Sequence, residues 1–466
     1  MNLMRRKSIS SMMELKEKGN TLKKELGAFD LTMLGIGCVV GTGIFVMTGV
    51  AAAQHAGPAL ILSFIIAGLV CAFCALCYAE LASMVPISGS AYTYSYATFG
   101  EIIAWILGWD LILEYGFAAS MVASGWSGYF QGLMSGFGIH IPHALSSALD
   151  TGKGTYIDLP AIIIALLLTF VVSRGAKEST RLNTIMVVIK IAVIVLFLVV
   201  GVFYVKPSNW TPFMPFGFGG VMTGAATAFI AYIGFDVVAT AAEEVRNPQR
   251  DLPRGIIASL IVCALLYVLV TAVLTGIVPY QLLDVKNPVA FAIQFIHQNW
   301  IAGFISLGAI IGITTVLFVL LYGQTRLLYA MGRDGLLPKK LSKLNPKTKA
   351  PTVSTWATGI LVAFFAGVLP LDRLSDLVSI GTLFAFISVA IGIIILRKAR
   401  PDLQRSFRVP WVPVIPLLAI IFCGYLLFSL PLVTWEAFLI WMVIGLVVYF
   451  SFGIRNSRLA KPEQDE

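Results

Sequence analysis

Residues 35–45 read Gly35-Ile36-Gly37-Cys38-Val39-Val40-Gly41-Thr42-Gly43-Ile44-Phe45, and residues 230–236 read Ile230-Ala231-Tyr232-Ile233-Gly234-Phe235-Asp236. Each stretch sits in the middle of a long apolar run, where a lipid-crossing helix would ordinarily be unbroken. Glycine weakens a helix interior by roughly 1 kcal/mol relative to alanine. A single glycine in such a helix is usually a close-packing position. Two interrupted runs, the first and the sixth of the chain, argue for discontinuous helices at a shared site.

The runs around them set the class. Hydrophobic residues make up 58% of the 466 and charged residues 12%, about half the charged share of a soluble protein. A soluble fold has no means of hiding that much apolar surface, whereas a bilayer dissolves it. Residues 31–53 and 56–79 run without an acidic or basic residue other than histidine, each near the roughly 20 residues a spanning helix needs. Hydropathy, Gly/Pro breaks and charge clusters predict twelve helices: 30–54, 58–84, 101–134, 158–173, 182–205, 219–245, 253–278, 300–329, 351–369, 374–396, 411–430 and 433–453. The third is too long to stand straight in a bilayer, so tilt or extension beyond it is expected. The fold class expected is an all-α polytopic membrane protein. An N-terminal segment (1–29) precedes a core of two five-helix halves (30–205 and 219–396), two further helices (411–453) and a tail (454–466).

The net charge of +9 does not mark a nucleic-acid binder, because the cations alternate with apolar runs and form no stripe. Lys153, Lys206, Lys286 and Arg373 fall on one side, Lys190 lies within helix five, and the other 28 of the 33 Lys and Arg share the side of both ends. By the positive-inside rule both termini are expected in the cytoplasm and the chain in the cell membrane. No cleavable signal peptide is read in the first thirty residues, where Met12–Leu26 is either a short surface helix or a tail. The six cysteines all lie in apolar runs. Cys71, Cys74 and Cys77 read as a packing stripe on helix two, with no disulfide expected. His140 and His143 read as solvated loop residues. No cofactor or metal is implied.

At 1.5 Å per residue, Gly41 lies about 16 Å from the start of helix one and Gly234 about 22 Å along helix six. Both positions fall near the middle of a hydrocarbon core roughly 30 Å thick. An odd number of helices per half turns the second half upside down relative to the first. Discontinuous helices at matching places in inverted halves point to a transporter's substrate site. The N–H groups opening the outer piece of helix one, near Gly43 and Ile44, suit a carboxylate. The carbonyls ending the inner piece of helix one and the outer piece of helix six suit an ammonium group. An α-amino acid carries both charges.

Lys190 stands about 14 Å deep in helix five, within Met186–Ile194. A central charge costs about 2.5–3.5 kcal/mol on insertion scales and therefore faces a partner or a cavity. Desolvation makes an ammonium easier to deprotonate, so one reading is a proton-coupling site. The other is a permanent ion pair with Glu114 or Asp110 of helix three. Glu114 is thus a possible partner of Lys190 or a residue facing substrate, and Glu80 is read as interfacial.

Gly41-Thr42-Gly43-Ile44-Phe45, Gly89-Ser90-Ala91-Tyr92 with Phe99-Gly100, and Ile233-Gly234-Phe235-Asp236 carry a resemblance. So do Glu243-Glu244 followed by Asn247-Pro248, and Arg333-Asp334-Gly335-Leu336-Leu337-Pro338. In this order they resemble the amino acid–polyamine–organocation superfamily, and within it the bacterial branch of the cationic amino acid transporter family. Larger animal members have fourteen helices rather than twelve. The resemblance implies a leucine-transporter-like fold of two inverted five-helix repeats plus two helices. It implies a substrate carboxylate at Thr42 and Gly43, an amino group at the carbonyls of Val39, Ile230 and Ile233, and Leu320 lining the side-chain pocket. Lys190 would stand where sodium-coupled relatives hold an ion, making the transported pair an amino acid and a proton. Apolar walls at Ile230, Ile233 and Leu320 favour small or medium neutral side chains. Alternatives are an exchanger, a cationic amino acid or polyamine carrier with Lys190 structural, and a membrane amino acid sensor. An enzyme is not expected, and the sequence does not fix an oligomeric state.

Overall fold

The computed structural model describes residue 5 and residues 24–460, apart from 86, 88, 137, 153, 286, 402 and 404. Among them, eight stretches are long and apolar enough to cross a membrane. The first, Ala28–Met84, folds back at Gly57, whose φ of +59° suits glycine, and so crosses twice. Three shorter apolar helices, Leu159–Ser173, Thr352–Val368 and Val414–Phe428, complete twelve crossings. The protein is an all-helical, multi-pass membrane protein.

Span 1 is Ala28–Val39 followed, after a bend, by a wound outer piece beginning at Gly43–Met47 and ending at Ala52–Ala56. Spans 2 to 5 are Leu60–Met84, Glu101–Gly136, Leu159–Ser173 and Ala176–Gly201. Span 6 is Gly217–Ala231 and then, past Gly234, the tight helix Phe235–Glu244. Spans 7 to 12 are Pro248–Ile277, Asn299–Arg333, Thr352–Val368, Leu371–Ala399, Val414–Phe428 and Leu432–Val448. Spans 5, 7 and 10 begin three to six residues before their expected starts. Hydropathy sees only the part of a helix in lipid, and these helices extend into water through polar first turns such as Pro248-Gln249-Arg250-Asp251. Of the surface helix read at Met12–Leu26, residues 12–23 lie outside the described residues. Leu26 is not helical there; it pairs side by side with Val245 as an isolated bridge.

The packing repeats itself across the two halves. Span 1 packs on span 7 and span 2 on span 6; span 5 packs on span 8 and span 3 on span 10. Exchanging each span with the one five places on converts the first pair into the second and the third into the fourth. Pairs 2–7, 3–8 and 4–9, also in close contact, map onto themselves. That is the contact pattern of an inverted repeat, and spans 11 and 12 lie against span 10 outside it.

Small residues set the closest approaches. A Cβ on Gly359 of span 9 would collide with Thr169 of span 4, and one on Gly367 would lie 2.7 Å from Ile162 Cδ1. Between membrane helices, lipid removes the hydrophobic driving force and association rests on such close packing. Gly359→Leu is therefore expected to separate spans 4 and 9 and to lower the melting temperature of the detergent-purified protein by several degrees, the scale of overpacking costs of about 1–3 kcal/mol. An unchanged melting curve would show that this contact contributes nothing to stability.

Candidate functional site

The two breaks meet. Span 1 leaves helical geometry at Val40 (φ −78°, ψ 99°), and span 6 turns at Gly234, whose φ is +115°. A Cβ on Gly234 would stand 2.5 Å from Cys38 Sγ, and one on Gly43 would stand 2.7 Å from Ala231 Cα. The inner piece of span 1 thus rests on the turn of span 6, and the outer piece rests on the last residue of the outer helix of span 6. Gly41 is filled from the other side by Val316 of span 8. Side chains at these glycines would push the two breaks apart.

Three neighbours hold the exposed backbone. Lys190, fully buried, donates from Nζ to Gly37 O (3.0 Å), Val40 O (2.6 Å) and Thr315 Oγ1 (2.7 Å). Two of these acceptors are the carbonyl end of the inner helix of span 1, where the helix dipole favours a cation. Three partners fill the three donors of an ammonium. The alternative of an ion pair between Lys190 and Glu114 or Asp110 is therefore not the arrangement found. Glu114 and Asp110 of the same helix are both buried, and neither forms an ion pair among the described residues. Helix-end carbonyls satisfy the lysine in place of a carboxylate. Asp236, two residues past the turn of span 6, accepts from Tyr115 Oη at 2.5 Å.

The second brace was not legible in the sequence. Tyr267 of span 7 points its hydroxyl at Val39 O and Ala231 O, both at 2.7 Å, tying one break to the other. The third is Tyr129 of span 3, which donates to Phe45 O at 2.6 Å. Hydroxyl side chains within the apolar runs of spans 3, 7 and 8 were the sequence signal for Tyr129, Tyr267 and Thr315, and nothing set these three apart from neighbours such as Ser127, Thr271 and Thr314.

Between the breaks lies a cavity of ≈ 30 Å³. Val39, Thr42, Gly43, Ile230, Ile233 and Leu320 line it, as do Ala118, Met121 and Val122 of span 3, Val316 of span 8 and Val378 of span 10. Gly41 and Ile44, expected at the site, are not among the lining residues. Ile44 N–H and Phe45 N–H both turn back to Gly41 O, which leaves Thr42 and Gly43 as the nearer helix-start donors. Ile230 O receives Ile233 N–H at 3.3 Å and also Tyr232 N–H, whereas Val39 O receives Tyr267 and keeps a second lone pair. Spans 3 and 10 were missed because their apolar residues read only as lipid or core contacts.

The surroundings differ sharply on the two sides. A vestibule of ≈ 1140 Å³ opens on the side away from the chain ends and includes Gly125 and Tyr129 of span 3 and Val46 of span 1. A Cβ on Gly125 would lie 3.1 Å from Thr42 Cγ2, so the vestibule floor adjoins the cavity. On the side of the chain ends, every residue of Phe235–Glu244 is buried. Arg326 Nε meets Glu244 Oε1 at 2.8 Å, Arg333 Nη2 meets Glu243 Oε1 at 2.9 Å and Tyr92 Oη meets Asp334 Oδ2 at 2.6 Å. Glu80 is bonded by Arg397 at 2.6 Å and by Val409 N–H at 2.7 Å; it is a buried clasp between span 2 and the connection of spans 10 and 11.

A model of the amino acid permease family matches residues 26–449. The chain belongs to that family. This permease is 54% identical to the methylthioribose transporter of Bacillus subtilis over 99% of its own length and all of the relative's. It is 53% identical to the branched-chain amino acid permease of the same organism, over 98% of this chain and 99% of that one. The vacuolar cationic amino acid transporter 4 of Arabidopsis thaliana is 39% identical, over 86% of this chain and 68% of its own. The family read from the motifs is the family found, and a permease is a transporter rather than an enzyme.

Tyr267→Phe removes the hydroxyl shared by Val39 O and Ala231 O and leaves buried acceptors unbonded, a loss of about 1–3 kcal/mol. The variant is expected to insert normally, melt lower and bind substrate with altered affinity. A thermal shift and a KM both equal to those of the unsubstituted protein would show that the hydroxyl does not brace the breaks.

Proposed function

We propose that this permease carries a neutral L-amino acid into the cell together with a proton, with both chain ends in the cytoplasm. The observation that carries the substrate reading is the cavity at the crossing of the two breaks. Helix-start N–H groups at Thr42 and Gly43 suit a carboxylate, carbonyls at Val39 and Ile233 suit an ammonium group, and none of the lining residues is charged. Arginine or lysine would bring a side-chain cation into that setting without a partner, which is costly at low dielectric. A small or medium apolar side chain, from alanine and threonine to valine, finds hydrocarbon walls at Met121, Val316 and Leu320. The branched-chain permease among the relatives supports the neutral assignment and the cationic transporter names oppose it. Methylthioribose, the substrate named for another relative, has no carboxylate or ammonium for the helix ends.

The orientation rests on the excess of Lys and Arg on the side of the chain ends, which makes the vestibule extracellular and the closed side cytoplasmic. Proton coupling rests on Lys190. Its ammonium uses all three donors on the break of span 1 and on Thr315. A neutral amine has two N–H donors and a lone pair, so deprotonation lets the Thr315 hydroxyl donate to Nζ instead of accepting from it and rearranges the bonds around the break of span 1. The five-helix halves 30–205 and 219–396 form the transport core in this reading.

In proteoliposomes, competition for radiolabelled alanine uptake is expected to rank valine, serine and threonine well above arginine and lysine. Arginine competing better than these would sink the neutral assignment, and competition by methylthioribose with none by any amino acid would sink the amino acid substrate itself. Lys190→Ala is expected to retain substrate binding and counterflow while losing stimulation by an inward proton gradient. Undiminished gradient-driven accumulation in that variant would remove Lys190 from the coupling.

A further inference from the structure

Spans 4 and 9 are the short ones of the core. At 15 and 17 residues they reach about 22 and 26 Å, less than the roughly 30 Å of a hydrocarbon core. They pack face to face, with Ile163, Leu167, Phe170 and Phe364 each about half exposed on what is a lipid-facing edge. A bilayer meets short helices by thinning, which draws its headgroups toward the helix ends.

At the ends of these two spans, on the side of the chain termini, the connections 174–181 and 334–351 touch. A Cβ on Gly175 would lie 2.9 Å from Thr348 O. Together they present Arg174, Arg181, Lys339, Lys340, Lys343 and Lys347, all exposed. Setting aside Glu178, whose side chain is not described, none of the six has a carboxylate partner among the described residues, unlike Arg326, Arg333, Arg397 and Arg405 on the same side. From Gly335 to Leu371 the chain contains no Asp or Glu.

The loop is built before any ligand arrives. Asn345 Oδ1 accepts the N–H groups of Lys347 and Thr348, Asn345 N–H donates to Ala350 O at 2.9 Å, and Ser354 Oγ donates to Leu341 O at 2.5 Å. The Arg174 guanidinium lies 4.5 Å from the centre of the Phe170 ring, at the border between lipid-facing hydrocarbon and the cations.

We propose that the terminal-side ends of spans 4 and 9 form a docking site for an anionic phospholipid, its headgroup on the Lys339–Lys347 loop and Arg174 and its acyl chains along the short span pair. Clustered Lys and Arg beside a membrane helix attract acidic headgroups, and the short spans bring the headgroup to them. The turn Lys339–Ser342 packs on the end of span 8, which carries Arg326 and Arg333, so the docked lipid steadies the closed side. The inference does not depend on the substrate or on proton coupling.

The test titrates the detergent-purified full chain with phosphatidylglycerol or phosphatidylcholine and reads bound lipid by native mass spectrometry. Phosphatidylglycerol is expected to bind at least about tenfold more tightly, a preference removed by about 0.5 M salt. It should also be removed in the variant Lys339→Gln, Lys340→Gln, Lys343→Gln, Lys347→Gln, and kept when the same four are changed to Arg. The variant Arg246→Gln, Arg250→Gln, exposed on the same side beside span 7, is expected to keep it. Equal binding of the two lipids overturns the site. So does a preference that survives in the four-glutamine variant or at high salt, an equal loss in the Arg246/Arg250 variant, or full competition by soluble glycerol phosphate. Should the four-glutamine variant fail to fold, the salt and competition arms on the unsubstituted protein still decide.

Discussion

A helix broken inside a membrane exposes backbone groups with no water to satisfy them, and the rest of this structure follows from how those groups are held. Unsatisfied polar groups in hydrocarbon cost several kcal/mol each, so irregular backbone at this depth survives only where protein or a polar cavity covers it. Here the cover comes from three directions. Lys190 reaches Gly37 O and Val40 O from span 5, Tyr267 reaches Val39 O and Ala231 O from span 7, and Tyr129 reaches Phe45 O from span 3. The remaining contact is close glycine packing, Gly43 against Ala231 and Gly234 against the Cys38 side chain. The break is a built element, tied into four other spans.

The two halves use this element unequally. The inner continuation of span 6 is the tight helix Phe235–Glu244, buried throughout, and its last two residues hold Arg326 and Arg333 of span 8. Tight helices of ten residues are uncommon because their hydrogen bonds are poor, so this one depends on its neighbours. The outer piece of span 1 faces the vestibule, with Val46 on its wall. A pseudosymmetric frame thus carries an asymmetric load, with ion pairs on one side of the breaks and an open vestibule on the other. In the proposed transport cycle the reverse arrangement must be reachable, and the Arg–Glu pairs lie on the side that would then open.

Much of this was readable from residues alone. Hydropathy placed all twelve spans, because a lipid-crossing helix must be apolar along its length. The two breaks stood out because glycines and Asp236 violate that rule. Six of the eight residues expected at the site line the cavity, since the breaks themselves define its floor and roof. What escaped was lateral. Nothing in a helical run says which neighbour a lone Tyr267 or Thr315 will face, and Met121 or Val378 look the same whether they meet lipid, core or substrate. The partners of Lys190, left open between a coupling site and an ion pair with Glu114 or Asp110, escaped for a related reason. Charge complementarity suggested a carboxylate, while the carbonyl end of a broken helix supplies negative potential without any acidic residue.

The dimensions of the cavity limit how substrate can enter. A water needs about 10–15 Å³ on this measure, so ≈ 30 Å³ is about two waters and no amino acid side chain fits without movement. The glycine contacts fix one part of the wall, because Gly43 on Ala231 and Gly234 on Cys38 leave no slack between spans 1 and 6. Room must come from spans 3, 8 and 10, which contribute Ala118, Met121, Val316, Leu320 and Val378. Span 8 is the constrained member of that group. Its Thr315 shares Lys190 with Gly37 O and Val40 O, and itself donates to Gly37 O at 3.0 Å. Any displacement of span 8 that enlarges the cavity therefore pulls on the same carbonyls that Lys190 holds. In the proposed proton-coupled reading, substrate entry and the state of the lysine act on one set of hydrogen bonds.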